Sequence, residues 1–137
     1  MSENKVTENL IEAYAMGIDI SVDYTQVSYV TKDATEPKSF STIQGETKYL
    51  IPTLMYKIKN SMEWCIGDDA KLRSYEDDDE KYAIRNLMER IYKGEAIYLD
   101  DTKYTPNGLL KIFIEKLLDE VKRLDKVCTP QFISVTV

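Results

Sequence analysis

The stretch Ala13-Tyr14-Ala15-Met16-Gly17-Ile18-Asp19-Ile20-Ser21-Val22-Asp23-Tyr24-Thr25-Gln26-Val27-Ser28-Tyr29-Val30 decides the reading of the fold. Residues 13–20 are a nearly unbroken apolar run, the pattern of a strand buried on both faces. Ser21 to Tyr24 make a short turn, and residues 25–30 mix polar and apolar side chains in strand fashion, so the chain doubles back as a hairpin. Lys38 to Ile43 read as a third strand after a loop at 32–37. The result is a three-stranded antiparallel meander, which Gln44-Gly45-Glu46-Thr47 ends with a turn. One acid, Asp19, interrupts the first run. An unpaired carboxylate in an apolar strand is expensive, so Asp19 asks for a metal, a hydrogen-bond network in its own turn or an exposed strand end.

A second hairpin follows, Thr53 to Lys59 and Met62 to Ile66 across Asn60-Ser61, with Leu54, Tyr56 and Ile58 expected to face inward. Gly67-Asp68-Asp69 opens a helix with acids in its first turn. It runs into Glu76-Asp77-Asp78-Asp79-Glu80, which lacks the spaced ligands and glycine of a calcium loop and reads as a solvated loop. Ile84, Leu87, Met88 and Ile91 set one face of a helix over 83–92, stopped by Gly94. A small hairpin is expected around Asp100-Asp101-Thr102. Thr105-Pro106 then caps the longest helix, whose Leu110, Phe113, Ile114, Leu117, Leu118, Val121 and Leu124 form a packing stripe, with Asp119 and Arg123 as a supporting pair. Phe132 to Val137 are β-rich, and the pattern stops in mid-strand, which is expected of a truncated domain or one lobe of a longer protein.

At 137 residues, 43% apolar and 31% charged, the chain has the makings of one soluble core. Its net charge of -6 argues against a nucleic-acid partner. With no histidine, a Ser-His or Cys-His nucleophile and every His-ligated zinc site are excluded. Cys65 and Cys128 are too far apart for a redox or zinc motif and sit among apolar neighbours as small buried thiols. Five dispersed glycines, at 17, 45, 67, 94 and 108, exclude a P-loop and a dinucleotide fingerprint. The N-terminus is polar and no window is long and apolar enough for a span, so no membrane partner and a cytoplasmic location are expected.

Gly17-Ile18-Asp19-Ile20-Ser21-Val22-Asp23-Tyr24-Thr25-Gln26-Val27 resembles the first phosphate loop, G-I-D-L-G-T-T-N-S-x-V, of the actin-like ATPase superfamily and especially its seventy-kilodalton heat-shock chaperones. Ile51-Pro52-Thr53-Leu54-Met55-Tyr56 is similar to the family's P-S-V-V-x-F strand, and Cys65-Ile66-Gly67-Asp68-Asp69-Ala70-Lys71 to its glycine-x-x-alanine-lysine segment. The long helix from Leu109-Leu110 and the strand Ile133-Ser134-Val135-Thr136-Val137 follow in the family's order. The resemblance implies an α/β fold, a ribonuclease-H-like N-terminal lobe with a mixed sheet, an antiparallel meander, a long packing helix and a small α+β insertion. It divides the chain into a flexible arm at 1–12, a core subdomain at 13–43 and 105–137, and an inserted upper subdomain at 44–104.

It further implies that Ser21, Val22, Asp23 and Tyr24 line a nucleotide phosphate and that Asp19 holds Mg2+ through water. ATP and Mg2+ would bind the full-length protein, with the remainder of the chain, a second lobe, as partner; none is expected on this piece. The departures matter. Ser21 replaces the family's glycine, and Val22 and Asp23 replace two threonines, so a donor has become an anion. At roughly 4 Å two carboxylates repel by about 4 kcal/mol at an effective dielectric of 20 unless Mg2+ lies between them. The loop is therefore expected to be degenerate and the piece inactive alone. Two other readings stand beside this one. A non-catalytic protein-interaction scaffold fits the tyrosine-rich composition, 10 of 14 aromatics, and a possible protein partner. A metal-dependent nuclease would pair Asp19 with Asp100 or Asp101, against the charge balance. Apolar surface left by a missing lobe predicts self-association.

Overall fold

The computed structural model describes residues 10–43, 45–77, 79–128 and 130–137. In chain order the elements are β1 (Ile11–Ile20), β2 (Tyr24–Thr31), β3 (Lys38–Ser39), β4 (Ile51–Pro52), β5 (Met55–Lys57), β6 (Trp64–Ile66), α1 (Gly67–Asp77), a 3-10 turn (Glu80–Tyr82), β7 (Ala83–Ile84), α2 (Leu87–Lys93), β8 (Ile97–Leu99), β9 (Thr102–Tyr104), α3 (Pro106–Asp125), β10 (Val127–Cys128) and β11 (Phe132–Thr136). The chain is thus a mixed α/β protein. None of its described helices is long and apolar enough to cross a membrane.

The main sheet is built around β1. Its antiparallel neighbour β2 pairs Ile18 with Val27 and Asp19 with Gln26. Beyond β2 lie β3 and, near the turn, β4. On the other edge of β1 the chain returns in parallel, first as β10 and then as β11, which pairs Ala15 with Phe132 through Asp19 with Thr136. Parallel neighbours need a long crossover, and the crossover ends in α3. Thr105 caps that helix by accepting a hydrogen bond from the Gly108 N–H at 3.0 Å, Pro106 fills its first position, and Lys126 ends it in a left-handed turn at φ 59°. Leu109, Phe113, Leu117 and Val121, four residues apart, are fully buried and share one core with Met16, Ile18, Ile20, Val27 and Tyr29. Each such side chain contributes about 1.5–3 kcal/mol by leaving water. Tyr29 also donates its hydroxyl to Asp125 at 2.8 Å, tying β2 to the end of α3.

Residues between the halves of this layer form a three-stranded sheet, β6-β5-β7, with α1 packed on it, and the β8–β9 hairpin. Gly67 opens α1 at φ 63°, where a Cβ would come within 2.9 Å of the Ile51 methyl, so glycine is required. Asp100 and Asp101 both adopt left-handed backbone, φ 48° and 64°, as a two-residue hairpin turn requires.

Several expectations are corrected. Residues 1–9 of the expected arm, and Gln44 and Asp78, lie outside the described residues. Ile11 and Glu12 are not arm but strand, because β10 pairs with them and Ile11 N–H donates to Lys126 C=O. The first strand is buried on one face only: Ala13, Met16, Ile18 and Ile20 point inward while Tyr14 and Asp19 are exposed, with a bulge between Ala13 and Ala15 shifting the alternation. The third strand is two residues long. After Phe40 N–H bonds Val27 C=O, the Ser41 hydroxyl takes over the Lys48 N–H and the backbone leaves the sheet.

In β5 both faces are covered, so Met55 and Lys57 are buried alongside Leu54 and Tyr56, and Ile58 is half-exposed. Ile84 does not belong to a helix over 83–92. It pairs with Met55 in β7, and α2 begins only at Leu87. Part of the acidic run, Glu76 and Asp77, is the last turn of α1. Arg123 pairs with Glu120 at 2.6 Å, one position nearer than Asp119, and Leu109 extends the packing stripe that was expected to begin at Leu110. Both cysteines are half-exposed rather than buried, and the Cys128 thiol lies 3.3 Å from the Ile11 carbonyl.

Candidate functional site

The face of β1 turned away from α3 carries Gly17 and Asp19. The register sets two polar rows across it: Ser134, Gly17, Ser28 and Ser39 across β11, β1, β2 and β3, and Thr136, Asp19 and Gln26 in the next row. With Tyr49 these side chains line a depression of about 270 Å³. Gly17 keeps the floor low, since a Cβ there would meet the Ser28 hydroxyl at 3.4 Å. The surface presents hydroxyls, one amide and one carboxylate, and Asp19 is exposed on it. It can exchange hydrogen bonds with a polar partner; among the described residues no group of three acids or thiols gathers as a metal cluster.

The turn that follows is held from behind. The Ser21 N–H donates to Tyr24 C=O at 2.9 Å, Asp23 C=O accepts from Thr53 N–H at 2.9 Å, and the buried Thr25 and Thr53 hydroxyls are 2.8 Å apart. A backbone cradle for an anion alternates right- and left-handed residues so that successive N–H groups converge. None of Ser21, Val22, Asp23 and Tyr24 has positive φ, so they form no αR–αL nest. All four side chains are exposed, among them an apolar Val22 and an anionic Asp23. These residues do not fit the triphosphate of Mg-ATP. Nor does the structure bring the expected site residues to one place. Asp19 lines the polar depression; Val22 lines an apolar one of about 510 Å³ with Met88, Ile91, Tyr92 and Val137; Tyr24 borders a third with Lys48, Tyr49 and Lys71.

Sequence reasoning missed a charged cluster in the insertion. Lys57, only 1% exposed, places Nζ 2.6 Å from Asp100 Oδ2, and Tyr82 donates its hydroxyl to Asp100 Oδ1 at 2.6 Å while Asn60 N–H donates to Oδ2 at 2.8 Å. The Lys57 ammonium, then the Tyr82 hydroxyl and the Asn60 N–H, hold the Asp100 carboxyl well below the usual carboxylate range. The same hydrogen bond, followed by burial and the Asp100 charge, pushes Tyr82 up to about 12. Asp100 stands on the β8–β9 hairpin and Asp19 on the main sheet, so the carboxylates considered for two-metal chemistry belong to different sheets. The only sequence signal for the cluster was the Asp100-Asp101 turn. Nothing in Met55-Tyr56-Lys57-Ile58 marks Lys57 as buried.

Fold and surface together define an α/β protein with a one-sided main sheet, an open polar face and an anchored, non-cradling turn. The chain belongs to the family of unknown function (DUF5716) C-terminal, which matches residues 36–137. No curated protein matches it.

Proposed function

We propose that this chain is the N-terminal lobe of a cytoplasmic protein of actin-like ATPase fold whose phosphate loop is degenerate, and that it works as a non-catalytic interaction scaffold. A ribonuclease-H-like lobe is supported by the order β3-β2-β1-β11, with the first three strands antiparallel, the last parallel to β1 and a long helix before it. On this reading residues 44–104 are the inserted upper subdomain, of which β4 pairs with β2 of the main sheet.

The observation that supports a degenerate loop is the turn itself: Ser21 to Tyr24 include no left-handed residue, so no αR–αL nest, and they present an apolar Val22 and an anionic Asp23. The scaffold reading draws further support from Val22 and Tyr92, 68% and 91% exposed beside the same apolar depression, where a protein partner or a second lobe would find anchors. Calorimetric titration of the 137-residue chain with Mg-ATP tests the proposal. No binding heat is expected at millimolar nucleotide, and micromolar binding would overturn it.

A further inference from the structure

Two adjoining depressions, of about 440 and 260 Å³, share Ile66, Asp69, Glu120 and Arg123 and form one groove between α1 and α3. The floor of the larger one is apolar: Phe40, Ile51, Ile66 and Leu117 are buried there. At its rim Ile43 and Leu72 stand 44% and 59% exposed, so the apolar lining continues onto the surface. The Thr42 hydroxyl in its wall is buried without a hydrogen-bond partner among the described residues. An apolar cleft with a few polar groups is the usual form of a binding site. Both cations of the larger depression are already paired, Arg123 with Glu120 at 2.6 Å and Lys48 with Asp68 at 2.8 Å, and Lys116 borders only the smaller one. Asp69 and Glu76 have no ion-pair partner among the described residues. With Leu72 they recur at i, i+3 and i+7 along α1 and so share one exposed face of that helix. Residues 67–80 hold seven acids against two bases, Lys71 and Arg73, so five of the chain's six net negative charges sit on α1 and the three residues after it.

We infer that this groove docks a basic amphipathic segment of another protein, which seats an apolar side chain over Leu117 and Ile66 between Ile43 and Leu72 and sets lysine or arginine against Asp69 and Glu76. The charge decides the chemistry. An apolar groove alone would accept any hydrophobic side chain, but one bordered by unpaired carboxylates repels acidic segments and attracts basic ones. The desolvated apolar anchor supplies the affinity and the rim charges supply the steering. A second copy is disfavoured, because a two-fold contact would set the same acids face to face. Nor is the groove left open by the position of Val137. Phe40, just after β3, and Ile51, whose strand β4 pairs with β2, bring it to one margin of the main sheet, whereas β11 lies beyond β1 at the opposite edge. The inference rests on the groove and its charge, not on the turn at 21–24, so Mg-ATP binding would overturn the reading above and leave this one standing.

The probe is a labelled peptide of leucine and lysine at helical spacing, roughly four turns long, followed by fluorescence anisotropy. The 137-residue chain is expected to bind it with a micromolar Kd that weakens as salt rises. Polylysine of the same length, and the same peptide with glutamine in place of lysine, are each expected to bind roughly tenfold more weakly or worse. Leu72→Ser is expected to weaken binding roughly tenfold with the salt dependence unchanged, whereas Asp69→Asn with Glu76→Gln should weaken it roughly tenfold and flatten the salt dependence. All three side chains are exposed, and circular dichroism checks that the variants remain folded. No binding at millimolar peptide, equal binding of polylysine, or indifference to Leu72→Ser overturns the inference. So does a sedimentation mass above 15.9 kDa that Leu72→Ser returns to monomer, which gives the groove to a second copy. Peptide binding by the 137-residue chain that the full-length protein lacks gives the groove to a later segment of the same chain and overturns it as well.

Discussion

Replacing Leu117 by alanine tests whether the chain has one core or two. Leu117 is 1% exposed at the middle of α3, and it lines a depression with Phe40 and Ile51 from one side and Ile66 of β6 from the other. A buried leucine cut to alanine costs about 3–5 kcal/mol, more where the cavity cannot collapse. Leu117 borders an open depression of about 440 Å³, so water can reach the vacated space and the lower end, about 3 kcal/mol, applies. With an unfolding entropy of about 0.29 kcal/mol/K for a chain of this length, the melting temperature should fall by about 10 °C.

The reporter is built in. Trp64, the only tryptophan, lies 6% exposed in β6 with its ring edge-on to Tyr104 at 5.2 Å. In urea titrations followed by Trp64 fluorescence and by far-ultraviolet circular dichroism, both midpoints should move together with unchanged slope. If the Trp64 transition stays in place while the dichroism curve shifts, the shared core is refuted. A loss below about 1 kcal/mol would show that Leu117 is not packed as described.

Three tyrosines should lag in an alkaline spectrophotometric titration of the ten. Tyr29 is raised by burial, then by its hydrogen bond to Asp125; Tyr56 is raised by burial first; Tyr82 is pushed up to about 12. Groups whose folded values lie above the unfolded value of about 10 stabilise fully below that pH and lose the contribution as pH rises through their folded values, so stability should fall from about pH 10 upward. Tyr29→Phe should cost about 1 kcal/mol in chemical denaturation and lessen that alkaline fall. Thr105→Ala removes the cap of α3 and should cost about 1 kcal/mol, read from the urea midpoint. Asp100→Asn should lower the melting temperature more than the Lys57→Met, Asp100→Asn pair does, because the single change strands a buried ammonium. The Asp100 carboxyl is depressed in the fold, so its contribution is present above about pH 4 and lost as pH falls; the Asn variant should show a flatter acid limb.

What the sequence disclosed follows from how local each signal is. Thr105-Pro106 and the four-residue spacing of α3 are written within one helix, and the hairpin turn at Asp100-Asp101 needs only two residues, so both were legible. The apolar pattern at Ile84, Leu87, Met88 and Ile91 satisfied helical spacing, but Ile84 is claimed by a strand partner twenty-nine residues away, Met55, and no window could contain that pairing. Lys57 was illegible for the same reason. Its burial depends on a carboxylate that the β8–β9 turn delivers from forty-three positions downstream.

The exposure of Asp19 follows from a strand that is buried on one face only. An acid in a strand covered on both faces would need a metal, a hydrogen-bond network or an exposed strand end, and the resemblance implies the first. The run Ala13 to Ile20 looks continuously apolar because Ala15 and Gly17 count as apolar while burying almost nothing. Once the alternation is resolved, Met16, Ile18 and Ile20 face α3 and Gly17 and Asp19 face outward. An exposed carboxylate at the end of a one-sided strand is already solvated and needs no cation to offset its burial. The magnesium reading then rests on the resemblance alone, and the turn beside Asp19 has no left-handed backbone at Ser21 or Val22 and adds a second negative charge at Asp23. On the proposed ATPase-fold reading, a phosphate-binding loop would take glycine at 21 and hydroxyls at 22 and 23 together. Ser21→Gly alone should leave Mg-ATP unbound in calorimetry, because the anion at Asp23 and the Ser21 N–H bond to Tyr24 would both persist.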